Sequence, residues 1–325
     1  MGARVVASGS SLPARCVTNA DLAKVIDTSD AWVVQRTGIR TRFLLEAAEE
    51  PSAMGVEAGK KALAQAKVLP DQVDLLVVAT NFPDMICPGS SPFVSAGLGL
   101  RGSPFFDLTA GCTGFVYGLV VADGLIRAGL YGHVLLIGLE ALSRVTDWSD
   151  RRTCVLFGDG AGAVLLEKGD PDEGILGSAL YGDHEKLFLL HLPAGGTRAP
   201  ASRETVDKGE HYLKMEGAGV FRSAVPMMEE STRQALAVAG LTLEDVDWVI
   251  PHQANIRIID SLTHRLGVDP EHVIVNIDRV ANTSTASIPI ALDEGLRSGR
   301  IARGDVVVLT AFGAGATYGA VVLRM

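Results

Sequence analysis

A chain that repeats itself half-way along is constrained to fold as two copies of one unit, with equivalent turns meeting near a pseudo-twofold axis. The residues ALAQAKVLPDQVD at 62–74 return as ALAVAGLTLEDVD at 235–247, an offset of 173 with six of thirteen positions identical. Further on, GLIRAGLYGHVLL at 124–136 faces GLRSGRIARGDVVVL at 295–309, offset by 171 to 172. Each half reads helix, strand, strand, turn, helix, strand in the same order. Two segments in register at nearly one offset mark a duplication, which divides the chain at about residue 170 into 1–170 and 171–325.

Apolar runs rich in Val, Ile and Leu alternate with helical patterns, which is the signature of an α/β chain with helices covering buried sheets. The pattern predicts strands at 73–79, 104–108, 133–139, 161–167, 246–250, 273–277, 305–311 and 317–323. Helices are expected at 51–67, 112–129, 217–240, 254–266 and 285–298. The segment 183–215 breaks the alternation with Gly, Pro and charges and reads as a long excursion over the site.

With 325 residues, 47% of them hydrophobic, the chain can bury a large core. The net charge of −9 and the lack of a basic tail argue against a nucleic-acid partner. No apolar run reaches the roughly 18 to 20 residues that span a bilayer, and the N-terminus lacks a signal-peptide pattern. The four cysteines, Cys16, Cys87, Cys112 and Cys154, lie far apart without a CxxC, so neither a zinc site nor a disulfide framework is suggested. A soluble, reduced, cytoplasmic chain is expected.

Cys112 stands in LTAGCTGFVYGL, between small residues at what reads as the first turn of a helix. There the positive end of the macrodipole would favour the thiolate; the alternative is a small buried hydrophobe. Adding 171 to Cys112 gives Thr283, beside Asn282 in VANTSTASIP. His252 closes the strand VDWVIPHQAN. All three lie at strand ends, where α/β folds bind ligands. A neutral imidazole and a carboxamide can donate to an oxyanion or enolate, and the amide cannot act as a base, so the set favours stabilising charge over activating water. Each is also a plausible capping or core residue. No second His stands at metal-ligand spacing from His252. The runs FGDGAGAVLLE (157–167) and AFGAGATYGAVVL (311–323) lack GK[ST] and do not open helices, so tight turns before strands are expected, with Gly315 able to offer a backbone N–H. In DTSDAWVVQRTGIRTR (27–42), Trp32 and Arg36 share a helix face, and an indole with a guanidinium suits adenine and phosphates.

Taken together, DTSDAWVVQRTGIRTR, GCTGFVYGL, CVLFGDGAGAVLLE, PHQANIRII, ANTSTASIP and AFGAGATYGAVVL, in this order and spacing, resemble the β-ketoacyl-acyl carrier protein synthase III family over essentially the whole chain. The resemblance implies a duplicated thiolase-like αβαβα five-layer fold, a homodimer, and a decarboxylating Claisen condensation of an acyl-CoA with malonyl-acyl carrier protein. The alternative is a specialised paralogue that takes an unusual starter, or malonyl-CoA, in secondary metabolism. The family pattern implies Cys112 as nucleophile, His252 and Asn282 as the enolate pair, and the N–H groups of Cys112 and Gly315 as the oxyanion hole. Trp32 and Arg151 would sandwich the CoA adenine, with Thr28 and Arg36 near its nucleotide and Asn255 near the pantetheine. Arg222 and Arg257 would dock the acidic carrier protein. No metal or prosthetic group is implied; acyl-CoA is substrate.

Departures are few. Gly111 and Thr113 stand where the family commonly has alanines, Ala314 interrupts its glycine triplet, and Tyr318 replaces a frequent tryptophan. In the family, the loop around position 87 helps close the partner's acyl pocket, often with a bulky aromatic; Cys87 there implies starters longer or wider than acetyl. A papain-like CGSCW context is absent, and no cysteine follows Cys154 to serve as the second cysteine of a thiolase.

Overall fold

A computed structural model describes residues 2–170 and 172–325. The first half builds a five-stranded sheet from β1 (Ala3–Ser11), β2 (Leu75–Ala79), β3 (Phe105–Leu108), β4 (Val134–Ala141) and β5 (Asp159–Lys168). Its order is β1-β5-β4-β2-β3, with β4, β2 and β3 parallel and β5 antiparallel to both neighbours. The second half builds four strands, β6 (Gly174–Gly182), β7 (Trp248–Pro251), β8 (Val306–Gly313) and β9 (Thr317–Arg324), in the order β6-β9-β8-β7 with the same pattern of directions.

The main helices are α1 (Asp30–Thr37), α2 (Pro51–Ala66), α3 (Ser91–Leu98), α4 (Gly114–Arg127), α5 (Gly217–Ala239), α6 (Ile256–Leu266) and α7 (Ser287–Arg297). Strand alternation sorts the side chains into layers. Leu75 and Val77 of β2 point inward to a core shared with Phe115 and Leu119 of α4, Ile288 and Leu292 of α7, and Val307 and Leu309 of β8. Leu76 and Val78 point outward to Met54 and Ala58 of α2 and Val94 of α3. Val306 and Val308 face outward with Ala235 and Leu236 of α5. The result is five layers, αβαβα, with α4 and α7 as the central one.

Three sequence expectations are corrected. The segment 273–277 is no strand: Val273 makes one parallel bridge to Val249, and then the Gln253 carboxamide takes over the ladder's hydrogen bonds. Its Nε2 donates to the carbonyls of Pro251 and Ile274, and its Oε1 accepts the N–H of Asn276 and Ile277. The first glycine-rich run is itself strand, since β5 begins at Asp159, and the second is strand to Gly313, leaving a turn at 314–316. Finally, β1 and β6 escaped notice because they lack apolar runs. Ser8 and Ser10 of β1 are buried, satisfied by the Asp293 carboxylate at 2.8 and 2.5 Å. These two strands lie 171 residues apart and extend the repeat.

Glycines make the seat for α7. Gly138 and Gly162 face each other across β4 and β5. A Cβ on Gly138 would press into the Thr285 carbonyl, and one on Gly162 would lie 2.7 Å from Pro289 Cβ. The trough they leave holds the turn that carries Asn282 and Ser284. Gly138→Ala is expected to destabilise by about 1–3 kcal/mol, because backbone has to yield. Gly124→Ala, on an exposed helix position with open space around it, is expected to stabilise by about 0.4–1 kcal/mol. Urea unfolding of the two variants checks this opposite pair.

Candidate active site

The turn that leads into α4 packs against the β8–β9 turn of the second half. Gly111 adopts φ 59°, and a Cβ on it would meet the N and O of Ala314 at 2.5 Å; a Cβ on Gly313 would strike the Cys112 N. The turns 111–113 and 313–315 therefore touch backbone to backbone, which no larger residue permits. Thr113, the N-cap of α4, makes no side-chain cap; its hydroxyl instead meets Thr317 Oγ1 and the Ala110 carbonyl, both at 2.5 Å.

Cys112 precedes that N-cap and is 9% exposed. It lines a cavity of about 520 Å³ together with His252, Asn282, Arg36, Asn255 and Arg257. Apolar walls come from Leu156, Phe157, Met228 and Phe312, and Leu190 and Met215 of the 183–215 excursion border the same cavity. That excursion is a two-stranded ribbon, Leu190–His191 against Lys214–Met215, with a short helix at Arg203–Asp207.

The thiol is not depressed as its position before a helix suggested. Burial pushes it up to about 11, against the pull of the Ser284 hydroxyl at 3.4 Å and the Ala314 N–H, while the Glu140 carboxylate pushes it further up. His252 is buried and held down to about 3 by desolvation alone, so it is neutral at working pH. Its Nδ1 lies 2.6 Å from Ser287 Oγ, which also accepts the Gln253 N–H at 3.4 Å. The serine hydroxyl can donate to Nδ1, the arrangement that leaves the imidazole proton on Nε2. Asn282 is fixed by its own backbone, N–H to the Leu156 carbonyl and carbonyl to the Gly158 N–H, both 3.0 Å. Its Oδ1 accepts the Ser284 N–H at 2.9 Å, so the carboxamide N–H groups are the end left free.

The nucleotide-side candidates sit along α1. The guanidinium carbons of Arg36 and Arg151 lie 4.7 and 5.0 Å from the Trp32 ring centre. A flat ring stacked on both faces needs about 7 Å between Trp32 and Arg151, so in this conformation they touch each other instead, with Arg151 held by Asp27. Thr28 Oγ1 is buried without a partner. Asn255 caps α6 through the Arg257 N–H and donates to the Arg36 carbonyl at 3.1 Å. Arg257 reaches the Gln35 carbonyl.

Six sequence candidates stand outside the lining of this cavity: Thr28, Trp32 and Arg151 on or beside α1, and three more elsewhere. Arg222 is exposed beside Glu216, Gly315 (φ 74°) lies behind Ala314 in the turn, and Cys87 is exposed in the loop between β2 and α3. The structure adds residues that the sequence reading passed over: the Ala314 N–H on the sulfur, Ser287 behind His252, and Ser284 and Glu140 beside Cys112. A glutamate inside the buried run VLLIGLEA was the available signal for the last. Among the described residues no group of His, Cys, Asp or Glu could hold a metal ion, and no helix is long and apolar enough to cross a membrane.

Two family models match the chain: 3-oxoacyl-[acyl-carrier-protein] synthase III over residues 106–184, and the C-terminal part of the same family over residues 236–325. A β-ketoacyl-[acyl-carrier-protein] synthase III of Symbiobacterium thermophilum is 49% identical over 97% of this chain and 96% of its own. One from Caldanaerobacter subterraneus is 45% identical over 100% and 98%. The crystal structure of 3-oxoacyl-[acyl-carrier-protein] synthase III from Aquifex aeolicus superposes with a TM-score of 0.92 at 42% identity, covering all of both chains. The duplicated five-layer fold, the paired helix starts and these similarities lead to one conclusion: the chain belongs to the 3-oxoacyl-[acyl-carrier-protein] synthase III family.

Proposed function

We propose that the protein catalyses the decarboxylating Claisen condensation of an acyl-CoA with malonyl-acyl carrier protein, giving β-ketoacyl-acyl carrier protein, CoA and CO2 at the start of fatty acid synthesis. The observation that carries the reading is the convergence of a thiol, a neutral imidazole and an oriented carboxamide on one apolar-walled cavity.

Cys112 Sγ attacks the acyl thioester carbonyl. The oxyanion that develops takes N–H groups from the touching turns 111–113 and 313–315, a role for Cys112 and for Ala314 or Gly315. CoA leaves, and malonyl-acyl carrier protein enters. As CO2 departs, negative charge gathers on the malonyl thioester oxygen. Nε2–H of His252 and Nδ2–H of Asn282 are permanent donors for it, because neither group ionises at working pH. The enolate carbon then attacks the acyl carbonyl and expels Cys112.

The CoA chain enters past Asn255 and Arg36, with Thr28 and Trp32 toward the nucleotide and Arg151 swinging off Trp32 to admit the adenine. Arg222 and Arg257 give the acidic enzyme a basic spot for an acidic carrier protein. The chain is read as a homodimer: β3 is a sheet edge with no strand beyond it, and Phe105 and Phe106 on it are exposed. In such a dimer the loop bearing Met85, Ile86 and Cys87 meets the partner, where a small side chain at 87 enlarges the acyl pocket. Its substrates place the reaction in the cytoplasm.

Three measurements follow. Intact-mass analysis after incubation with acetyl- to decanoyl-CoA is expected to show one acyl adduct, absent in Cys112→Ala, with C6–C10 starters turned over faster than acetyl; equal or slower turnover would refute the pocket idea. His252→Ala and Asn282→Ala are expected to keep acylation within a few-fold but lose on the order of 10²–10³ in condensation; equal losses in both steps would overturn the assignment. Sedimentation is expected to give twice the 34.2 kDa chain mass, with Phe106→Glu driving the protein to monomer.

A further inference from the structure

The condensation described above leaves one ionisable group at its centre unused. Glu140 lies on β4, with no exposed surface. Its Oε1 accepts the N–H of Asn81 at 3.0 Å, Asn81 Nδ2 at 2.5 Å, Ser284 Oγ at 3.3 Å and Thr285 Oγ1 at 3.2 Å. Its Oε2 is buried and has no partner. Among the described residues no cation pairs with it, and every group bonded to this carboxyl is neutral. Of the neighbouring strands, β2 is apolar throughout and β5 places Gly160 opposite, while the buried Asp159 beside it spends its carboxylate on the Leu45 N–H and on Ser143. The titratable group that feels it is Cys112. Burial without a counter-ion raises the carboxyl to about 7, despite the hydrogen bonds.

Ser284 joins the two. Its hydroxyl is 3.4 Å from Cys112 Sγ and 3.3 Å from Glu140 Oε1, and it has one proton to give. When that proton points at the carboxylate, the serine oxygen, which already accepts Asn81 Nδ2–H at 3.3 Å, has a second lone pair to accept the S–H. The backbone holds this geometry at some strain, with Ser284 at φ 50°, and the N–H of the same residue orients Asn282.

We propose that the Ser284 hydroxyl relays the Cys112 proton to Glu140, which holds it while the cysteine is acylated. The idea rests on the acyl-transfer reading above. As the bond from Sγ to the acyl carbon forms, the S–H bond breaks. Its proton passes to Ser284 Oγ, and the serine's own proton passes to Glu140 Oε1. The bond from the acyl carbon to CoA sulfur then breaks, and the CoA thiolate takes its proton from water. In condensation the enolate carbon expels Cys112 as thiolate, which recovers its proton from Glu140 by the same path. The one proton consumed overall is the one that CoA takes from water.

Two consequences make the relay physically favourable. The buried pair carries a single negative charge before and after the transfer, so the thiolate never forms beside a second buried anion. Glu140 is also neutral while the malonyl carboxylate is in the site, so it does not repel the incoming anion.

The test uses the full-length protein and two rates followed from pH 5 to 10: alkylation of Cys112 by iodoacetamide, and single-turnover acylation by an acyl-CoA without malonyl-acyl carrier protein. In the wild type both rates are expected to rise through an ionisation near pH 7. Glu140→Gln, nearly isosteric, and Ser284→Ala, which removes the hydroxyl alone, are each expected to lose that rise. Both variants should be at least tenfold slower at pH 7, with the gap closing towards pH 10 as hydroxide ionises the thiol directly. An unchanged profile, or a uniform drop at every pH, overturns the relay and leaves Glu140 a structural role only. If Glu140→Gln does not fold, Ser284→Ala decides by the same criterion. A wild type that alkylates with the pH 7 rise but is labelled by no acyl-CoA would leave the relay standing and sink the acyl-transfer reading.

Discussion

The contact on which the site depends is the one that seats the start of α4 against the β8–β9 turn and the start of α7 at the centre of the molecule. Gly111 lies against Ala314, and Gly313 against the Cys112 backbone, while Gly114 sits against Thr285, whose side chain a Cβ there would meet at 2.9 Å. These approaches are possible because α4 and α7 form one layer between two sheets, each helix packed on strands from both halves. Moving either helix by the width of a methyl group would displace Cys112 from Ser284 and the Ala314 N–H together. The core is close-packed, so such a shift is resisted by both sheets at once.

Electrostatics explains why the site is quiet at rest. The imidazole is neutral by desolvation and the thiol is protonated by it, so around Cys112 the resting site holds little formal charge beyond Glu140, and the cavity's cations, Arg36 and Arg257, are exposed. Charge is created only during the reaction, at places where donors already stand. Preorganised donors in a dry pocket cost no reorganisation when charge appears. A strongly charged resting site would have to be desolvated anew with each substrate.

Much of this was legible in the chain. The central strands and the helices α2, α4, α5 and α7 announced themselves by apolar runs and helical period, and the repeat predicted that the turns bearing Cys112 and Asn282 would lie close. What escaped did so for identifiable reasons. β1 buries serines, glycine and alanines, and β6 buries only Ile175 between Gly174 and Gly177, so neither carries an apolar run. The strand expected at 273–277 failed because one glutamine side chain imitates a neighbouring strand. Cys112 looked activated because the reading weighed the helix start and not the burial. Glu140 and Ser284 were invisible as a pair because 144 residues separate them, and only the symmetry of the fold brings them within reach.

That symmetry also shows how one scaffold came to serve two reaction steps. The two helix starts are equivalent by position but not by chemistry. One carries a thiol at 112; its counterpart is Thr283, whose hydroxyl is buried without a partner, flanked by Asn282 and Ser284. In the proposed reaction the first half supplies the atom that bonds to the acyl group, and the second supplies groups that only donate, accept or pass a proton. A second thiol at 283 would compete for the same acyl group in the same cavity. A turn without a thiol, packed against the cysteine's helix start at Gly114, is what lets a duplicated fold keep a single cysteine in the cavity and surround it from both sides.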